Sequence, residues 1–136
     1  MKLDSLNEMQ KKAVIKTDGP LLVLAGAGSG KTKVLTTKIA YLIEQMHINP
    51  YNILAITFTN KAAREMKDRI TNMLGMLANS IQISTFHSFG LTIVRENAEK
   101  LDLKSNFTIL DSEDSLTIIK KIMKDLNINA ESVKPK

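Results

Sequence analysis

Residues 21–32 read LLVLAGAGSGKT, and the fold turns on how that stretch is read. The apolar residues from Leu21 run into a glycine-rich turn that ends in Gly30-Lys31-Thr32 and opens into a helical pattern. That is the order of a strand over Leu21 to Ala25, a phosphate-cradling loop, and a helix N-terminus. Glycines let backbone N–H groups crowd around phosphate oxygens with no Cβ in the way. The helix N-terminus adds its partial positive charge. Lys31 is then placed to reach the β/γ-phosphates of a nucleotide, and the Thr32 hydroxyl to hold Mg²⁺. Ala25, Gly26, Ala27, Gly28, Ser29 and Gly30 form the cradle. The general pattern is G-x-x-x-x-G-K-[ST], and Ala25 stands where its first glycine belongs. The alternative is a glycine-rich turn without a ligand, in which a lysine at that position gains little.

Working outward, residues 3–16 read as a helix, with Ser5 and Glu8 as an S-x-x-E capping box and Gln10 inside it, just ahead of the loop. Downstream, a helix from about Lys31 to Met46 carries an apolar stripe of Leu35, Ile39, Leu42 and Met46. Ile53 to Thr57 is a short, nearly continuous apolar run, as in a strand buried on both faces of a parallel sheet. A helix follows over about Lys61 to Leu77, with Ala63, Met66, Ile70, Met73 and Leu77 on its buried side. A third strand is expected near Ile81 to Ser84, then Phe86-His87-Ser88-Phe89 and a helix through about Leu101.

Three β-loop-α units in a row predict an α/β fold, a parallel sheet with covering helices. Ligands of such sheets bind beyond the carboxyl ends of the strands, so all three loops fall on one edge. Two of them share a composition. Thr57, Phe58, Thr59, Asn60, Lys61 and Arg64 combine hydroxyls, cations and an aromatic ring, and Thr85, His87 and Ser88 repeat the mixture between Phe86 and Phe89. Cations contact phosphates, and an aromatic face stacks a base. Phe58 is equally readable as a core residue closing the end of a strand, and Phe89, on a helix, reads first as a core residue.

The last part breaks the pattern. Asp111 or Ser112 caps a helix from about Glu113 to Leu126, with Leu116, Ile119, Ile122 and Leu126 as its apolar face, and residues 127–136 are polar.

Composition narrows the classes. The chain has 136 residues, 43% hydrophobic and 24% charged, ordinary for one globular domain with a core. Nothing approaches a membrane span, and no signal peptide precedes the first amphipathic segment, which fits a cytoplasmic setting. The sequence holds no Cys and only two His, excluding disulfides, thiolate sites and a zinc centre of the usual kind. The net charge of +5 is compatible with a polyanionic partner.

Four stretches in order, LNEMQ ending at Gln10, AGAGSGKT at 25–32, TFTNKAAREM at 57–66 and TFHSF at 85–89, resemble successive motifs of superfamily-one DNA helicases of the UvrD/Rep/PcrA type. Ala25 in place of glycine is itself usual there. The resemblance covers at least residues 3–101. It implies that Gln10 hydrogen-bonds the adenine edge of ATP, that the loop holds the triphosphate with Mg²⁺ on Thr32, and that Thr57, Phe58, Thr59, Asn60, Thr85, His87 and Ser88 touch single-stranded DNA. Lys33 falls where the family often carries an Arg against the adenine, and a Lys lacks the planar guanidinium for stacking.

The resemblance further implies two RecA-like domains that close on ATP and move 3′-to-5′ along one strand, separating the duplex at a junction. Residues 1–110 would then be the N-terminal part of a RecA-like ATP-binding domain, a P-loop NTPase fold. Residues 111–136 would begin a helical inserted subdomain, truncated here. The family's Asp-Glu motif for Mg²⁺ and water has no counterpart in this sequence. The expectation is therefore a fragment with half an ATP site, inactive alone, whose cut faces favour self-association. The competing readings are the helicase portion of a recombination helicase-nuclease, a small P-loop kinase or nucleotide-binding regulator (which needs a Mg²⁺-binding Asp on a strand), and a non-catalytic nucleic-acid-binding module.

Overall fold

A computed structural model of the chain describes residues 3–104 and 106–128. The elements in order are α1 (Glu8–Ile15), α2 (Lys31–Glu44), β1 (Leu54–Thr57), α3 (Asn60–Leu74), β2 (Gln82–Thr85), α4 (Phe86–Glu96) and α5 (Ser112–Asp125), with short 3₁₀ turns at Pro50–Asn52, Gly75–Ser80 and Ala98–Leu101. Two compact units divide between Thr92 and Ile93.

The first unit contains a parallel βαβ crossover. β1 and β2 pair in parallel with Leu54 opposite Gln82 and Thr57 opposite Thr85. α3 connects them and lays Met66 and Ile70 on the sheet, in a cluster with Ile39 and Ile43 of α2, Ile53, Ala55, Ala78 and Ile81. Ile70 is fully buried, the centre of this core. Gly75 ends α3 with φ +60°, a conformation that glycine adopts without a Cβ clash. A second cluster joins Leu6 and Val14 to Val34, packing α1 against α2.

The expected α/β alternation with a parallel sheet is present, in smaller form. Among the described residues the sheet has two strands, and Leu21 to Ala25 is an irregular segment outside it. Leu22 and Leu24 are 82% and 87% exposed. A strand is defined by its ladder, and a run of apolar side chains does not by itself supply one.

Other expectations shift for identifiable reasons. The capping box is Asn7 with Gln10, and Ser5 and Glu8 do not form one: Asn7 Oδ1 accepts from Gln10 N–H, and Gln10 Oε1 accepts from Asn7 N–H. α2 buries Val34, Thr36, Thr37, Ile39, Ala40 and Ile43, while Leu35 and Met46 are exposed, because α1 and α3 both pack on it and widen the covered face. β1 is covered on one face: Ala55 is buried, whereas Leu54 and Ile56 are about half-exposed. α3 stops three residues before Leu77, and Met73 and Leu77 are exposed. α4 starts directly at Phe86, so Phe86-His87-Ser88 is a helical first turn rather than a loop.

In the second unit Asp111 caps α5, its carboxylate accepting from Asp114 N–H at 2.8 Å. Met123 is the buried residue of α5, with Ile119, Ile122 and Leu126 of the expected apolar face exposed. The Arg95 guanidinium lies 5.8 Å from the centre of the Phe107 ring. Most of the polar stretch from 127 lies outside the described residues.

Candidate functional site

The glycine-rich loop before α2, expected to cradle phosphates, is built by two glycines in the left-handed region. Gly28 has φ +73° and Gly30, the N-cap of α2, has φ +82°. No side chain caps α2, which leaves its first N–H groups to a ligand or to water. The Ser29 hydroxyl donates to Gly26 O at 2.7 Å and closes the turn. Lys31 folds back over its own loop. Its Nζ donates to Ala25 O at 3.1 Å and to Gly26 O at 2.6 Å. An ammonium held by two carbonyls is already at the mouth of the cradle and can exchange them for phosphate oxygens. Thr32 is exposed at the second position of α2.

Gln10 reaches the loop from α1. Its Nε2 donates to Ser29 O at 3.0 Å. A Cβ on Gly30 would stand 3.1 Å from the same Nε2, so the loop and the glutamine are in close contact. A cleft of about 650 Å³ opens alongside, lined by Asn7, Gln10, the segment from Leu21 to Gly26, Ser29 and Lys31. Lys33 is tied elsewhere: its Nζ donates to Ser5 O at 2.6 Å, which fastens the chain before α1 to α2.

Sequence reasoning missed two residues here. Asn7 holds Gln10, and N-x-x-Q was legible as a capping box beside S-x-x-E. Lys38 reaches across to the C-terminal end of α1, donating to Ala13 O at 3.0 Å and also to Lys16 O. Nothing in the local sequence signals that contact. Burial, and then the charge of Lys16, hold the Lys38 ammonium's pKa below its usual value.

The second cluster lies where β1 and β2 end. Because Thr57 and Thr85 are in register, the segments that follow them start side by side. Thr57 Oγ1 donates to Thr59 O at 3.0 Å, and Thr59 Oγ1 accepts from Ala62 N–H at 3.1 Å as the N-cap of α3. Asn60, Lys61 and Arg64 are exposed on the first turns of α3. Thr85 is buried: its hydroxyl donates to Ser88 Oγ at 2.8 Å and accepts from Ser88 N–H at 3.1 Å. Phe58 is 95% exposed and Phe86 69% exposed, so neither closes the core. The His87 ring meets Phe86 edge-on, 6.2 Å between centres. Phe89 is partly buried. No ladder joins the glycine-rich loop to this edge among the described residues.

No group of three or more His, Asp or Glu side chains that could hold a metal occurs among the described residues, and no helix among them is long and apolar enough to cross a membrane.

A family model described as the UvrD/REP helicase N-terminal domain matches residues 6–136. The chain is 53% identical over 134 residues to the ATP-dependent DNA helicase PcrA of Bacillus subtilis (strain 168), covering 98% of this chain and 18% of that protein. It is 49% identical over 134 residues to the ATP-dependent DNA helicase PcrA of Staphylococcus aureus (strain NCTC 8325 / PS 47), with the same coverage of 98% and 18%. The chain spans about 18% of the length of the curated relatives it matches.

Proposed function

The chain belongs to the UvrD/REP helicase family, and from that membership we propose that it supplies a nucleotide half-site and part of the single-stranded DNA path of an ATP-dependent DNA helicase. The observation that carries the reading is the loop itself: two left-handed glycines, an uncapped helix N-terminus and a lysine gathered over the turn. In this reading the N–H groups from Gly26 to Thr32 hold the triphosphate. Lys31 leaves the Ala25 and Gly26 carbonyls for the β/γ-phosphates, and Gln10 meets the adenine edge. Mg²⁺, when bound, would supply charge neutralisation of the triphosphate oxygens. Thr32 suits it as a single hydroxyl ligand beside phosphate and water oxygens, the usual donor set of that ion.

The paired ends of β1 and β2 support a DNA contact. Phe58 offers a free ring for base stacking, and Lys61 and Arg64 offer charge for phosphates. His87 and Ser88 border the same edge, and Thr85 acts there through the cap it makes with Ser88. Lys33, held by Ser5, serves the packing of α1 more than the base. In a full-length protein these parts would sit in a RecA-like domain spanning residues 1–110, followed by an inserted helical subdomain from 111, and drive 3′-to-5′ unwinding in cytoplasmic repair or replication. In this reading the isolated chain binds ATP and does not hydrolyse it, since the family's Asp-Glu motif for Mg²⁺ and water has no counterpart in its sequence. The exposed run at Leu22 and Leu24 supports self-association of the isolated chain, and sedimentation showing only monomer at all concentrations would remove that element.

The test is calorimetric titration of Mg-ATP into this chain and into Lys31→Ala. Saturable heat that disappears in the variant is expected. Equal heats in both proteins, or none in the unaltered chain, would overturn the half-site.

A further inference from the structure

The side-chain amide of Gln10 has two fixed partners of opposite kind. Asn7 N–H donates to its Oε1 at 3.0 Å, and its Nε2 donates to Ser29 O at 3.0 Å. A carbonyl oxygen cannot donate and an amide nitrogen cannot accept. Of the two flips available to the amide, only one satisfies both neighbours. Asn7 closes the arrangement by taking Gln10 N–H on its own Oδ1 at 2.9 Å. Each end of the amide keeps capacity in reserve: Oε1 a second lone pair, Nε2 a second N–H.

One acceptor and one donor on a glutamine match adenine, which offers N7 as acceptor and its N6 amino group as donor. Guanine offers two acceptors at the same edge, N7 and O6. The flip decides which end of the amide faces which atom. We propose that Asn7 is a positioning residue for base selection: its side chain caps Gln10 N–H and so fixes the first turn of α1, and in that turn its own backbone N–H, together with the Ser29 carbonyl, locks the amide in the orientation that receives adenine and refuses guanine. The inference rests on the nucleotide-binding reading above. It adds that selectivity comes from the orientation of Gln10, set by its neighbours, and that the phosphate loop takes part through Ser29.

The test compares dissociation constants for Mg-ATP and Mg-GTP in the unaltered chain, Asn7→Ala, Asn7→Gly, Asn7→Ser and Gln10→Ala. Circular dichroism confirms that each is folded. Asn7→Gly guards against a folding artefact, because glycine is well tolerated at N-caps while lacking the side-chain oxygen. The unaltered chain is expected to prefer ATP. Asn7→Ala should reduce the ATP-over-GTP ratio by up to about fivefold, the most that a lost cap can pass on to the amide, and Asn7→Gly, which loses the same side-chain oxygen, should reduce it in the same direction. Asn7→Ser should restore the ratio, and Gln10→Ala should abolish it. A merely structural Asn7 would weaken both nucleotides together and leave the ratio alone, which overturns the proposal. Equal binding of ATP and GTP by the unaltered chain also overturns it while leaving the phosphate loop intact as a site. Binding of neither nucleotide defeats the half-site reading, and the proposal with it.

Discussion

Gly30→Ala isolates the contact between the loop and α1. Gly30 has φ +82°, where an L-residue costs about 1–2 kcal/mol. The added Cβ would lie 3.1 Å from Gln10 Nε2, the end of a flexible side chain that can move away. Moving it surrenders the bond to Ser29 O, a further ~1 kcal/mol. The expected total is about 2–3 kcal/mol of lost stability. In a Gln10→Ala background the contact and the bond are already gone. There, Gly30→Ala should cost only the backbone part, about 1–2 kcal/mol. Urea denaturation followed by circular dichroism reads all four corners of the cycle, with midpoints compared at a common slope. A coupling of about 1 kcal/mol between the two positions is predicted. A cycle that closes at zero coupling, or a Gly30→Ala change within about 0.5 kcal/mol of the unaltered chain, refutes the reasoning.

Ile70→Ala empties the centre of the core beneath the sheet, where Ile70 has no exposure, and should cost about 2–5 kcal/mol in the same denaturation experiment. Phe58→Ala, at a ring 95% exposed, should leave stability within about 0.5 kcal/mol and weaken single-stranded oligonucleotide binding by about 1–3 kcal/mol, read by fluorescence anisotropy. Lys38 gives a pH signature. Its folded pKa lies below the ordinary 10.5, so the unfolded chain binds more protons there, and stability rises with pH from the folded pKa up to 10.5. Denaturation midpoints should climb through that alkaline window more steeply in the unaltered chain than in Lys38→Met, and identical slopes would exclude Lys38 as the source.

The glycine turn that opens α2 was legible because its geometry is local. Gly28, Gly30, Lys31 and Thr32 are consecutive or nearly so, and their spacing alone dictates a turn feeding a helix. The parallel pairing of β1 with β2 followed from alternation with α3, and with it the meeting of the segments after Thr57 and Thr85. What the sequence concealed depends on distant partners. An apolar run such as Leu21 to Leu24 says that the segment prefers burial, not that a neighbouring strand is there to pair with it. Ser5–Glu8 and Asn7–Gln10 are equally good capping pairs on local chemistry; Asn7–Gln10 prevails where Gln10 also gains Ser29, 19 residues away. The face of α2 shifts from Leu35 to Val34 because α1 packs there, which periodicity within α2 cannot know.

The central claim is that a nucleotide sits on the loop and is felt by α1. Hydrogen–deuterium exchange of the chain with and without Mg-ATP tests it most directly, because it reports the place as well as the event. Slower exchange confined to residues 26–33 and to Asn7 through Gln10 is predicted, and its loss in Lys31→Ala. Unchanged exchange at those amides under saturating Mg-ATP, or protection that appears only elsewhere, would contradict the account.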